Sequence, residues 1–232
     1  AYRLVLDYTP FPGSVCGAVC MNLCMDECTR SQIDISAQIG RLGTYSAAVD
    51  VAPPAAQTGK NVAVIGGGPA GLSAAWQLAR DGHSVTVYEA HEAMGGKMEQ
   101  VIPRSRLPHE TLERELKRIE SVGVKFVTNY SVDAEKYQAL RRENDAVVVA
   151  SGGHVTRMIP WPGNERIVKG LDFLKAVNRG EKVKVGKRVI VIGCGNSGMD
   201  AALGAYQMGA EQVVCIDVKK KKKKKKKIDH VE

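Results

Sequence analysis

Two glycine fingerprints of the form GxGxxG constrain this chain more than any other feature of it. The first is Gly66-Gly67-Gly68-Pro69-Ala70-Gly71 and the second is Gly193-Cys194-Gly195-Asn196-Ser197-Gly198. Each follows a short apolar run, at 61–65 and at 187–192, and each opens a stretch that reads as a helix. The first glycine permits the tight turn after the strand. The second lets the backbone approach a pyrophosphate, and the third lets the helix pack close to the strand. The helix N-terminus turns free N–H groups and a positive dipole end toward the phosphates. One such turn implies one dinucleotide. Two imply two, and hydride transfer between them.

An acidic residue completes each unit. Glu89 ends the strand at 84–88, and Asp217 ends the strand at 212–218. A carboxylate there accepts hydrogen bonds from ribose hydroxyls. Asp217 favours a free 2′-hydroxyl and repels a 2′-phosphate, so NADH is expected ahead of NADPH, although lysines follow directly. Between the two units, 107–122 reads as an amphipathic helix with Leu112, Leu116 and Ile119 at helical spacing. Residues 123–127 read as a strand, and 145–150 as a buried strand that ends at Ser151-Gly152-Gly153. The alternation predicts doubly wound α/β with two Rossmann-like domains.

The net charge of +8 suggests a polyanion partner until it is located. Lys219 to Lys227 is an unbroken run of nine lysines, and removing them leaves −1. With aromatics at only 5% and no stacking pattern, nucleic-acid binding is not expected. The run reads as a disordered tail or a placeholder for unassigned sequence. No apolar stretch approaches the ~18 residues of a membrane span, and no signal peptide is visible. A cytoplasmic location is expected.

Four of the six cysteines, Cys16, Cys20, Cys24 and Cys28, lie within thirteen residues at C-x3-C-x3-C-x3-C spacing. In one continuous helix the outer two would stand about 18 Å apart, too far for one cubane. The segment must therefore turn, or the thiolates must serve more than one cluster. Tightly spaced cysteines favour iron–sulfur over zinc. Cys194 and Cys215 read as small packing residues, not ligands.

The sequence Gly68-Pro69-Ala70-Gly71, then Glu89, Gly95-Gly96 and Ile102-Pro103-Arg104-Ser105-Arg106-Leu107-Pro108, resembles the FAD domain of the glutamate synthase small subunit. The N-terminal half of dihydropyrimidine dehydrogenase and the flavin subunits of electron-bifurcating enzymes share the arrangement. The resemblance implies FAD at the first fingerprint. Its set is Gly66, Gly68, Pro69, Ala70, Gly71, Glu89 and Ala90, with Gly95, Gly96, Lys97 and Arg106 on the flavin side and Ala150, Ser151 and Gly152 at the neighbouring strand end. It implies NAD(P)H at Gly193, Gly195, Asn196, Ser197, Gly198 and Asp217, in a second domain nested within the first. Pro10-Phe11-Pro12, Cys16-Gly17-Ala18-Val19-Cys20 and Cys28-Thr29-Arg30 resemble the family's helical domain with two [4Fe–4S] clusters. Met21 stands where that family has proline, and an upstream cysteine group is missing, so one cluster or two remain open.

These readings divide the chain into a helical iron–sulfur domain (1–50), a linker (51–60), an FAD domain (61–185), the start of an NAD(P)H domain (186–218) and a lysine-rich tail (219–232). Both nucleotide domains are expected to be incomplete: no Gly-Asp dipeptide of the closing FAD segment occurs, and the second β-α-β stops after two strands. The expected function is an NAD(P)H-dependent flavin oxidoreductase subunit. It would pass electrons from NADH through FAD to [4Fe–4S] clusters, and on to a larger redox subunit or a ferredoxin-like carrier. No residue is expected to act as an acid–base catalyst. A non-catalytic relay or scaffold subunit is the alternative, and a thiol switch at Cys16–Cys28 a third.

Overall fold

The computed structural model describes residues 2–46, 51, 53–156, 158, 160 and 162–217. Val218 and the lysine run lie outside the described residues. The chain forms two compact units, Ala1–Ile167 and Val168–Glu232.

The first unit begins with short helical pieces. These are α1 (Tyr2–Tyr8), a π-helix (Pro12–Val19), α2 (Leu23–Asp26), a 3-10 turn (Thr29–Gln32) and α3 (Ile39–Ser46). The cysteine segment therefore bends repeatedly. A parallel sheet follows, built from β1 (Asn61–Ile65), α4 (Pro69–Arg80), β2 (Ser84–Tyr88), α5 (Lys97–Gln100), α6 (His109–Ser121), β3 (Lys125–Val127), α7 (Ala134–Glu143) and β4 (Ala146–Val149). Strand order is β3-β2-β1-β4, all parallel. This leaves β1, which carries the first glycine loop, in the interior of the sheet, with β2 and β4 on either side.

Val62, Val64, Val85 and Val87 pack beneath Leu72, Ala75 and Trp76 of α4, and Leu112 and Ile119 of α6 close the same core. Leu6 and Phe11 of the N-terminal segment join it. Trp76 is fully buried and donates its indole N–H to the Leu6 carbonyl at 2.9 Å, so α1 is fastened to α4 by a bond that burial strengthens. Arg80 adds a bond to the same carbonyl at 3.2 Å and an ion pair to Asp7 at 2.5 Å.

The second unit contains α8 (Gly170–Asn178), β5 (Arg188–Ile192), α9 (Asn196–Gln207) and β6 (Gln212–Ile216). β5 and β6 pair in parallel, and α8 packs on α9, with Phe173 against Gly204. Burial corrects the sequence reading at β4 and at Cys215. β4 was expected to be buried, yet Val149 is 61% exposed. Every second residue of β5 and β6 is exposed, and Cys215 is only partly covered. A two-stranded parallel ribbon with one helix over it covers only one of its faces.

Candidate functional site

At the first loop, Gly66 has φ +109, and a side chain there would strike the carbonyl of Ala150 at the end of β4. Gly71 is pressed so closely on Gly66 that a Cβ would collide with the Gly66 carbonyl oxygen and approach Val64 to 3.2 Å. Gly68 is the N-cap of α4, with Pro69 at N1 and no side-chain cap bond. Proline there costs no hydrogen bond and presets the helical φ.

A second glycine backbone lies across this turn. Gly95 donates its N–H to the Gly67 carbonyl at 2.7 Å. Gly96 has φ +54, and a Cβ on it would come within 2.8 Å of the Gly68 Cα. Around Gly68 the nearest atom to a built Cβ is the Gly96 Cα, at 4.0 Å. The space beside Gly68 is thus bounded by backbone, and a helix N-terminus with backbone alone around it is suited to an anion. Lys97, Pro69 and Ala70 are exposed at this edge, as are Ala90, Ser151 and Gly152 at the neighbouring strand ends. Arg106 is half-buried in the turn before α6, its N–H bonded to the Pro103 carbonyl.

Glu89 is the charged centre of the site and is 6% exposed. Oε2 accepts the Gly67 N–H at 2.7 Å. Oε1 accepts the His91 N–H at 3.0 Å and faces His91 Nδ1 at 2.8 Å. Burial pushes the Glu89 pKa up, but the His91 ring, the His91 N–H and the Gly67 N–H together hold it below the ordinary carboxylate value.

The second loop repeats this geometry. Gly193 has φ +104, and Gly195 caps α9 with φ −74 and ψ 179, against φ −82 and ψ 179 at Gly68. A Cβ on Gly198 would collide with the Gly193 carbonyl. Gly193 N–H bonds to the last residue of β6 (2.7 Å), as Gly66 N–H does to the last residue of β2 (2.8 Å). Asp217 Oδ2 accepts the Cys194 N–H at 3.1 Å, the counterpart of Glu89 on Gly67. Asn196 and Ser197 are exposed in the first turn of α9. Cys194 is exposed rather than packed. Two βαβ units thus carry the same glycine turn, with matching N-cap backbone angles and matching bonds to the neighbouring strand end.

A family model described as pyridine nucleotide-disulphide oxidoreductase matches residues 60–228. The chain belongs to this family. Membership brings FAD and NAD(P) binding with it, and the parallel α/β fold is the family's own. Over 224 residues the chain is 34% identical to the NADPH-Fe(3+) oxidoreductase subunit beta of Geobacter sulfurreducens, covering 90% of this chain and 33% of the relative. It is 37% identical over 174 residues to the glutamate synthase [NADPH] small chain of Mycobacterium tuberculosis, covering 68% and 36%. It is thus related to the glutamate synthase small chain, in line with the sequence resemblance, and it spans about a third of each relative's length. Among solved structures, 2-naphthoyl-CoA reductase in complex with 2-naphthoyl-CoA superposes with a TM-score of 0.56 at 26% identity, covering 76% of this chain and 26% of the other.

Among the described residues, no group of three or more His, Cys, Asp or Glu is placed to hold a metal ion. Burial pushes the Cys16 thiol up, and Cys20, Cys24 and Glu115 add to the shift. Cys28 instead sits among backbone groups of Ala37, Arg30 and Ser31 that hold its thiol down. A separate polar cleft, lined by Gln57, Asn61, His83 and Lys125, lies at the opposite ends of the strands and takes no part in the glycine loops.

Two residues of consequence escaped the sequence reading. His91 holds Glu89 from two positions on. Glu115 is 0% exposed in α6 and accepts N–H bonds from Gly13 (2.6 Å) and Ser14 (3.1 Å) of the π-helix.

Proposed function

We propose that this chain is the nucleotide-binding part of an NADPH-dependent flavin oxidoreductase subunit, with FAD at the first loop and the nicotinamide nucleotide at the second. The observation that carries this reading is the repeated loop, down to the carboxylate that engages the second residue of each turn. Bound FAD supplies a hydride acceptor that can afterwards release electrons singly. The chain's own residues bind and orient. The N-termini of α4 and α9 face the pyrophosphates, Glu89 takes the adenosine ribose of FAD, Asp217 stands at the ribose end of the second loop, and Gly95-Gly96 holds the first cofactor against its turn. No acid–base pair is needed, and His109, 60% exposed at the start of α6, is a surface residue.

We assign NADPH in place of the NADH expected from Asp217. Both relatives carry NADPH in their names. The relatives' names also describe a beta subunit and a small chain, which supports a partner subunit as the electron acceptor. The iron–sulfur exit rests on donor chemistry alone. Cys16, Cys20, Cys24 and Cys28 would hold a [4Fe–4S] cluster, a one-electron acceptor, only by converging further than they do here. All six cysteines are free, which suits a reducing compartment such as the cytoplasm. Among the described residues no helix is long and apolar enough to cross a membrane.

The competing reading is a relay or scaffold subunit that binds cofactors without turnover. FAD-loaded protein assayed with NADPH and an artificial acceptor separates the two. Reduction of the acceptor supports the oxidoreductase, and bound FAD without turnover supports the scaffold.

A further inference from the structure

We propose that His91 is the positioning residue that sets the Glu89 carboxylate for the adenosine ribose at the first glycine loop. The inference rests on the reading that this loop holds FAD. His91 grips one carboxylate oxygen twice, through its backbone N–H at 3.0 Å and through Nδ1 at 2.8 Å. With an ionised partner, Nδ1 carries the proton and donates. The other oxygen, Oε2, takes the Gly67 N–H and keeps a lone pair for a further donor. The carboxylate plane is therefore fixed before any ribose hydroxyl arrives.

The backbone around this grip is pinned as well. Asn129, at φ +54, donates its N–H to the His91 carbonyl at 2.9 Å, and Tyr130 N–H donates to the Glu89 carbonyl at 2.8 Å. On its far side the His91 ring faces the His154 ring, with centroids 6.2 Å apart, and His154 Nε2 reaches the Ser151 carbonyl. His91 thus stands between the β2 and β4 strand ends that flank the glycine turn. An alanine would leave both backbone bonds, His91 N–H on Oε1 and Gly67 N–H on Oε2, and remove only the ring donor that aims Oε1.

The test is competition against FAD reconstitution of the apoprotein, read by flavin fluorescence, with ADP and 2′-deoxy-ADP as competitors. Competition with FAD confines the readout to the first loop. In the native protein ADP competes better than its deoxy analogue, the difference reporting the hydroxyl contact. His91→Ala weakens ADP about tenfold, the scale of one hydrogen bond to a charged group, and leaves the deoxy analogue within about twofold. His91→Asn, which can donate from its amide, restores most of the discrimination. Equal weakening of both competitors in His91→Ala would mark a purely structural role and overturn the proposal, as would unchanged discrimination. Failure of the native protein to bind FAD or ADP would instead sink the FAD reading itself.

Discussion

Removing the Glu115 carboxylate should detach the cysteine-bearing segment from the sheet. The π-helix starts at Pro12, which has no N–H, and no local side chain caps it. Its next two donors, Gly13 and Ser14, are buried and are met by Glu115 from a hundred residues away. Each is a bond to a charged acceptor, worth about 1.5–3 kcal/mol net. Part of that sum is offset, because burial pushes the Glu115 pKa up against these bonds and the Arg118 charge. For Glu115→Ala we expect a loss of about 2–5 kcal/mol, since two buried N–H donors each lose their acceptor at about 1–3 kcal/mol. Glu115→Gln keeps one carbonyl acceptor and should lose about 1–2 kcal/mol. Such losses are a large share of the ~5–15 kcal/mol typical of a folded chain. Urea unfolding gives the magnitude, and amide hydrogen exchange gives the place. Protection should fall first at Gly13 and Ser14 while Val62 to Val64 exchange as before. A Glu115→Ala protein within 0.5 kcal/mol of the native one, with Gly13 and Ser14 still protected, would refute the reasoning.

Three further outcomes are expected. Gly71→Ala should prevent correct folding of the first loop, because its Cβ would meet the Gly66 carbonyl, whereas Gly68→Ala should fold normally and lose FAD affinity at least tenfold; melting curves and FAD titration distinguish them. Gly195→Ala, with nothing within 4 Å of its Cβ, should leave the melting temperature unchanged and raise the NADPH KM severalfold in steady-state assays. Glu89 has its carboxyl held below the ordinary value of 4.5, so its contribution to stability is complete above that value. It is lost as pH falls through the lower folded value, and acid unfolding of Glu89→Gln should show a shallower pH dependence there.

The glycine loops and their acids were legible because backbone constraint writes itself into sequence. Only glycine tolerates φ +109 at Gly66 or the contact between Gly71 and Gly66, so the pattern survives as letters. Glu115 was missed although it left a signal. It stands three residues after Leu112 and four before Ile119, on the apolar stripe of α6, where a charge demands a buried partner. That partner lay far away in the chain, beyond any local pattern. α7 was also unread, though Asp133 announces it by accepting the Lys136 N–H at 2.9 Å as a helix cap. The exposure of β5 and β6 could not be read from composition, since an apolar run is the same whether covered on one face or two. The cysteine ladder gave the donor types but not their positions, because the chain breaks on either side of α2 between Cys16 and Cys28.

The central claim is that the two loops hold a hydride donor and its acceptor. The most direct test is anaerobic addition of NADPH to the purified FAD-loaded protein, followed at the flavin absorbance band. The account predicts loss of that band within the mixing experiment, more readily with NADPH than with NADH, and slower in Gly195→Ala. A protein that binds FAD yet keeps its oxidised flavin spectrum with both nucleotides would contradict it.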